Sequence, residues 1–382
     1  MNNYRSPWMN EELEIFRSAA SRFVETEMVP NEDRWRDQKY IDREFWRKAG
    51  ENGFLCTDIP DQYGGGGGDF RHEAVFFEEQ WKRGLSGLGQ GVHSIVANYL
   101  LNHGTEKQKK RWLPEMAKGQ LIAAIAMTEP GTGSDLKGIK TRAVRDGDEY
   151  VINGSKLFIT NGYVSELLAL VVCTDPGAGS KALSIVMLET TDLEGFKVGR
   201  ILEKMGQKSQ DTCELFFDDV RVPVENLLGG AEEGKGFAQL MADLPYERTQ
   251  VGVQSVAMME GAIRETVDYV KQREAFGAPL LSLQNTRFRL AEAQTTSQVA
   301  RVFLDHCIQN VATGELDNVT AAMCKYWTSE QLQQVMDTCL QMHGGYGYMD
   351  EYLICRMYAD ARVARIYAGT SEIMLEVIAR SL

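Results

Sequence analysis

Leu121-Ile122-Ala123-Ala124-Ile125-Ala126-Met127-Thr128-Glu129-Pro130-Gly131-Thr132-Gly133-Ser134-Asp135 is the stretch that decides how the chain is divided. Its first half is short, continuously apolar and closed by breakers, which reads as a buried strand. Its second half is a turn in which Gly131 and Gly133 let the backbone approach a flat or charged ligand closely. Thr128, Thr132 and Ser134 add hydroxyls, and free amides in such a turn form an anion-binding concavity. An ordinary strand-to-loop corner has the same composition.

On either side of this corner the rhythm of the chain differs. Before it, over about 10–120, the pattern is helical, with Leu13, Phe16, Ala19, Ala20 and Phe23 on one stripe and further helices over 42–52, 71–83, 91–103 and 105–117. The glycine run 64–68 reads as a flexible loop, since no P-loop lysine follows it. After the corner, Tyr150-Val151-Ile152 followed by Asn153-Gly154 signals a two-residue hairpin whose return strand is Lys156–Thr160. Strands are also expected at 167–173, 182–188 and 214–220. With no long helix between them the sheet should be mainly antiparallel, a barrel or a sandwich. From 234 the pattern is helical to the end, over 235–272, 282–312, 317–344, 351–365 and 371–380, which suggests an antiparallel bundle. Pro245 falls inside the first of these and should kink it. The expected class is α+β: an N-terminal helical domain (1–120), a central mainly antiparallel β domain (121–233) and a C-terminal four-helix bundle (234–382).

A chain of 382 residues is long enough for two or three domains. Its net charge of −13 argues against nucleic acid, which requires a basic footprint. The seven cysteines form no CxxC pair and no cluster with histidine, so neither zinc nor a disulfide framework is expected, and His93, His103 and His343 read as structural. No apolar run approaches ~18 residues, so no membrane span is expected. The start of the chain lacks a signal pattern. Cytoplasm, or the mitochondrial matrix in a eukaryote, is the expected compartment.

Four further motifs follow the corner in order: Lys156-Leu157-Phe158-Ile159-Thr160-Asn161-Gly162, Gln272-Arg273-Glu274-Ala275-Phe276-Gly277, Gln341-Met342-His343-Gly344-Gly345-Tyr346-Gly347 and Ile366-Tyr367-Ala368-Gly369-Thr370-Ser371-Glu372-Ile373. With the corner they resemble the acyl-CoA dehydrogenase family over nearly the whole chain, nearest its long-chain-type members. The resemblance implies bound FAD, an acyl-CoA substrate, an electron-transfer flavoprotein as partner and a homotetramer. Its reaction is α,β-dehydrogenation, in which a carboxylate takes the α-proton while hydride leaves the β-carbon for the flavin.

Carried over residue by residue, Met127, Thr128, Gly133 and Ser134 line the flavin, Ser134 lying near its pyrophosphate or the CoA tail. Phe158, where many members carry Trp, lies against the ring with Ile159, and Thr160 bonds its reactive edge. Arg273, Phe276 and Gln284 reach the flavin of a neighbouring subunit, and a guanidinium fork suits a pyrophosphate. Gln341, Gly344 and Gly345 approach the adenosine half, while Gly369, Thr370, Ser371 and Glu372 close the site, with Gly369 on the substrate side. The best-known members carry their catalytic Glu just before Gly-Thr-Ser, but that position here is Ala368. Long-chain and isovaleryl types supply the base from the proline-containing helix, matched here by Leu244-Pro245-Tyr246-Glu247-Arg248. Glu247 is therefore the candidate base, with its pKa raised by a semi-apolar cavity and by Asp243 one turn earlier. Tyr246 and Arg248 are candidate substrate contacts, Arg248 alternatively a compensating charge. A flavin oxidase or monooxygenase on the same fold, or a non-catalytic flavin-binding relative, is the rival reading.

Overall fold

The computed structural model describes residues 4–230 and 232–382. Six helices form the first layer: α1 (Glu11–Phe23), α2 (Glu32–Gln38), α3 (Arg43–Glu51), α4 (Phe70–Trp81), α5 (Gln90–His103) and α6 (Glu106–Ala117). Their starts are chemically marked. Asn10 caps α1 by accepting from the Leu13 amide, and Asp69/His72 and Thr105/Gln108 form reciprocal capping boxes on α4 and α6. Trp35, Trp46, Phe54 and Phe76 pack into one core beneath α1 to α4.

The glycine run is not the flexible loop its composition suggests. The amides of Gly66, Gly67 and Gly68 donate to the carbonyls of Cys56, Ile59 and Thr57. A Cβ on Gly65 would lie 2.2 Å from the Ile59 carbonyl oxygen, so the run is glycine-rich because two backbones touch there. Gly65→Ala is expected to lower stability by roughly 1–3 kcal/mol, the usual cost of overpacking, read as a shifted thermal midpoint.

A seven-stranded sheet follows: β1 (Ala123–Ala126), β2 (Arg142–Asp146), β3 (Glu149–Thr160), β4 (Leu167–Cys173), β5 (Leu183–Glu189), β6 (Phe196–Ile201) and β7 (Thr212–Pro223). The order is β1-β4-β2-β3-β7-β6, with β5 on the other edge of β4. Pairing is mainly antiparallel, but β1 runs parallel to β4 and β2 joins β4 by one parallel bridge. The hairpin expected at Asn153-Gly154 is absent. β3 runs straight through it, and the turn lies earlier, between Asp146 and Glu149. Asn153 instead lies opposite a bulge in β7, where Asp218 and Asp219 face it together; Gly154 has φ +151° and Asn153 exchanges two hydrogen bonds with Asp219. β2 and β6, short and only partly buried, carry no clear alternation and were not anticipated.

The C-terminal helices are α7 (Gly236–Gln272), α8 (Gln284–Ala312), α9 (Asn318–His343), α10 (Leu353–Ala361) and α11 (Ser371–Ala379), with a two-residue-per-strand hairpin at Glu274–Ala275 and Ala278–Pro279. The fourth bundle helix is shorter than the periodicity suggests, since α10 gives way to a 3-10 turn over Arg362–Arg365. α7 is the axis of the molecule. Residues buried along most of its length pack on α8 and α9 on one side and on α4 and α5 on the other, and the helix continues on both sides of Pro245. Among the described residues no helix is long and apolar enough to cross a membrane, and no group of three or more His, Cys, Asp or Glu is placed to hold a metal ion.

Candidate active site

Three elements present the residues of interest. The first is the corner after β1. Lys156 on β3 is wholly enclosed, and its ammonium donates to the Met127 carbonyl and to Glu129 Oε1, both at 2.9 Å. Glu129 also accepts from the amides of Lys140 (2.7 Å) and Thr141 (2.9 Å). Burial pushes the Lys156 pKa down to about 8, and the carboxylate opposes that shift. The Leu157 amide donates to the Thr128 carbonyl, which completes a rigid frame for the corner.

A bulge after Lys156 then resets the alternation of β3. Lys156 pairs with Leu215 and Ile159 with Cys213, so Leu157 and Phe158 oppose one residue. Phe158 takes φ +61° and stands 63% exposed, whereas Ile159 turns its side chain into the sheet core and has only backbone to offer a ligand. Phe158 is therefore not sheet core. Among the described residues the hydroxyls of Thr128, Ser134 and Thr160 have no hydrogen-bond partner, and a Cβ on Gly131 or Gly133 would meet open space. An exposed ring, unpaired hydroxyls and accessible backbone fit a flat ligand with a polar edge, as a flavin is.

The second element is the far end of the C-terminal domain. Arg273, Gln341, Gly344 and Gly345 line one open concavity of about 440 Å³ with Tyr269 and Tyr346. The Arg273 guanidinium stacks over Tyr346, and His343 lies flat on Tyr269 at 4.1 Å. Phe276 sits at the tip of the small hairpin, 96% exposed with φ +55°, and Gln284 is exposed at the start of α8. At the other half of α9, Thr370 caps α11 by accepting from the Ile373 amide and Ser371 donates to Glu330. Those hydroxyls are engaged within the protein, while Glu372 stays exposed. Gly369 has φ +87°, and its carbonyl accepts from the Lys325 ammonium at 2.6 Å.

The third element is α7. Glu247 is buried, and burial raises its pKa to about 7. A hydrogen bond donated by Tyr99 opposes the rise, Asp243 adds to it by like-charge repulsion, and Arg248 opposes it. Asp243 is itself held by Asn102 (2.7 Å) and His103 (3.0 Å). Tyr246 packs into the N-terminal layer. Its hydroxyl donates to Asp58 at 2.7 Å and its ring packs edge-on against Phe70. Arg248 points toward α9, donating to the Asn318 carbonyl at 3.3 Å with its Nε buried and unpartnered. Burial, with the nearness of Arg248 adding to it, lowers the Lys325 pKa to about 8.

Several of these groups escaped the sequence. Tyr99 and Asp58 belong to no motif. Lys156 and Glu129 do belong to motifs, and an opposite pair of charges inside two otherwise apolar segments was the available signal. The buried His93 accepts from the Ala123 amide at 3.1 Å and faces the Met116 carbonyl, tying α5 to β1.

Known proteins share this fold over nearly the whole chain. Family models described as acyl-CoA dehydrogenase N-terminal, middle and C-terminal domains match residues 10–120, 124–220 and 234–382. The mitochondrial long-chain specific acyl-CoA dehydrogenase of Mus musculus is 46% identical over 98% of this chain and 87% of its own length. The crystal structure of an acyl-CoA dehydrogenase from Geobacillus kaustophilus superposes with a TM-score of 0.96 at 45% identity, covering 99% of each chain. A glutaryl-CoA dehydrogenase from Mycobacterium smegmatis in complex with FADH2 superposes with a TM-score of 0.90 at 26% identity, covering 98% of this chain and 95% of that one.

Proposed function

The chain belongs to the acyl-CoA dehydrogenase family and is a flavin-dependent enzyme with FAD as cofactor, and from that premise we propose that it converts a long or branched acyl-CoA to the trans-2-enoyl-CoA. The observation that carries this reading is one carboxyl, Glu247, buried in a helix core with its pKa raised to about 7, in a chain whose alternative base position is Ala368. A base poised near neutral pH loses little to protonation and still attracts a proton strongly. Glu247 takes the α-proton of the thioester. FAD, when bound, supplies the acceptor for the β-hydride.

Met127, Thr128, Phe158 and Thr160 hold the flavin, with Lys156 and Glu129 keeping their corner in place. Arg273, Phe276, Gln284, Gln341, Gly344 and Gly345 serve a flavin shared with a neighbouring subunit of a homotetramer. The bare Phe276 ring at a hairpin tip supports that role, since an apolar side chain so exposed is expected to be covered in an assembly. Likeness to the mouse protein supports the long-chain preference, and the small side chain at 368 removes bulk from the wall it lines. Electrons pass to an electron-transfer flavoprotein, in the cytoplasm or, in a eukaryote, the mitochondrial matrix.

The test is anaerobic bleaching of the bound flavin by acyl-CoAs from short to long chains, with branched ones included. Faster bleaching by the long or branched members is the expected result. Fastest bleaching by a short straight chain would overturn the substrate class. Bound flavin that no acyl-CoA bleaches would overturn the dehydrogenase assignment in favour of oxidase chemistry or a non-catalytic role.

A further inference from the structure

Helices α5 and α7 are joined by polar contacts that bracket Pro245. On one side Asn102 and His103 hold Asp243. On the other, Tyr246 and Asn98 both donate to Asp58, at 2.7 and 3.1 Å, and Tyr99 donates to Glu247 Oε1. Pro245 has no amide hydrogen, so the helix lacks a backbone hydrogen bond there and its local pitch is less firmly set. The side chains supply what the backbone lacks. Tyr99 is the member that reaches the base, and its ring is fully enclosed in the core between α5, α6 and β1.

The two oxygens of Glu247 differ. Oε1 is occupied by the Tyr99 hydroxyl. Oε2 has no hydrogen-bond partner among the described residues, yet it is not among the enclosed polar atoms, so it is the oxygen that meets accessible space. We propose that Tyr99 is a positioning residue for Glu247: its hydroxyl ties down Oε1 and leaves Oε2 as the one oxygen free to take a proton. This rests on Glu247 being the base.

The bond also has an electrostatic consequence. A phenol donates its only hydrogen to the ionised carboxylate and stabilises that form, against burial and against Asp243 on the same helix face. Arg248 on α7 acts in the same sense as Tyr99, and Asn102 and His103 on α5 act only through Asp243. Removing the Tyr99 hydroxyl therefore makes Glu247 harder to ionise.

The experiment is the pH dependence of flavin reduction by saturating acyl-CoA in the anaerobic holoenzyme. For Tyr99→Phe the apparent pKa of the rising limb should move up by about one to two units, the effect of losing a hydrogen bond to a charged group. The rate should fall about 5- to 50-fold at pH 7 and recover at high pH, with substrate affinity little changed. A second protein carrying 3,5-difluorotyrosine at position 99, a stronger donor of nearly the same shape, should move the limb down. A Tyr99→Phe profile that overlays wild type, or a difluorotyrosine profile unmoved or shifted up, overturns the proposal. Glu247→Gln in the same assay separates the two ideas. If it reduces flavin at the wild-type rate, the base assignment fails. If it is inactive while both Tyr99 profiles stay put, only the role of Tyr99 fails.

Discussion

Glu247→Gln is expected to slow flavin reduction by acyl-CoA about 10²- to 10⁴-fold, the usual worth of a positioned general base, with FAD still bound. The same substitution should make the protein more stable at pH 8. The sign follows from the direction of the shift. The carboxyl titrates at about 7 in the fold against 4.5 ordinarily, so its favourable contribution is complete below pH 4.5 and is lost as pH rises through about 7. Above that, keeping the carboxylate ionised in the core costs roughly 3 kcal/mol at about 1.4 kcal/mol per unit. Glutamine has the same shape and can accept from Tyr99 without that cost. The check is a urea midpoint for both proteins at pH 8 and pH 5, where the advantage of the variant should shrink at the lower pH. A variant that is both inactive and destabilised at pH 8 would count against this account, because loss of fold would then explain the loss of rate.

Glu129→Ala should produce the largest loss of stability. It strands the Lys156 ammonium, whose side chain is 0% exposed, with only the Met127 carbonyl, and leaves the Lys140 and Thr141 amides without their acceptor. Breaking a buried ion pair from one side costs about 3–5 kcal/mol. Because the corner after β1 hangs on this pair, FAD should be lost on gel filtration. Adding Lys156→Met to Glu129→Ala removes the orphaned charge and should restore part of the stability while leaving the cofactor weakly held. Unchanged urea midpoint and FAD content in Glu129→Ala would refute the framing role of the pair.

The helices were the legible part of this chain, because their signals are local: apolar spacing over α1 and over the long C-terminal helices α7, α8 and α9. Ordered motifs likewise placed the family, and Pro245 with Ala368 pointed to Glu247 as the candidate base. What misled was also local. Asn153-Gly154 is a strong hairpin dipeptide, but its side-chain amide is satisfied across the sheet by Asp219, which lets the strand continue opposite a bulge in β7. Glycines 64–68 look flexible in isolation and are fixed by contacts with residues 56–59. Tyr246 and Glu247 are adjacent, but successive side chains on a helix diverge by about 100°, so they find different partners in the N-terminal layer, Asp58 and Tyr99. Tyr99 lies 148 positions from Glu247, and no pattern within either segment links them.

That separation bears on how the enzyme would fail on warming. Tyr99 belongs to the N-terminal layer and Glu247 to the axial helix, so the proton affinity of Glu247, the proposed base, is set at a seam between two parts of the fold. Partial openings generally require less free energy than global unfolding. An opening at this seam would admit water to Glu247, return it toward ordinary carboxylate acidity and leave a weaker base on intact secondary structure. Activity should therefore fade at a lower temperature than the helical signal, and the pH–rate limb should drift toward acid as it does.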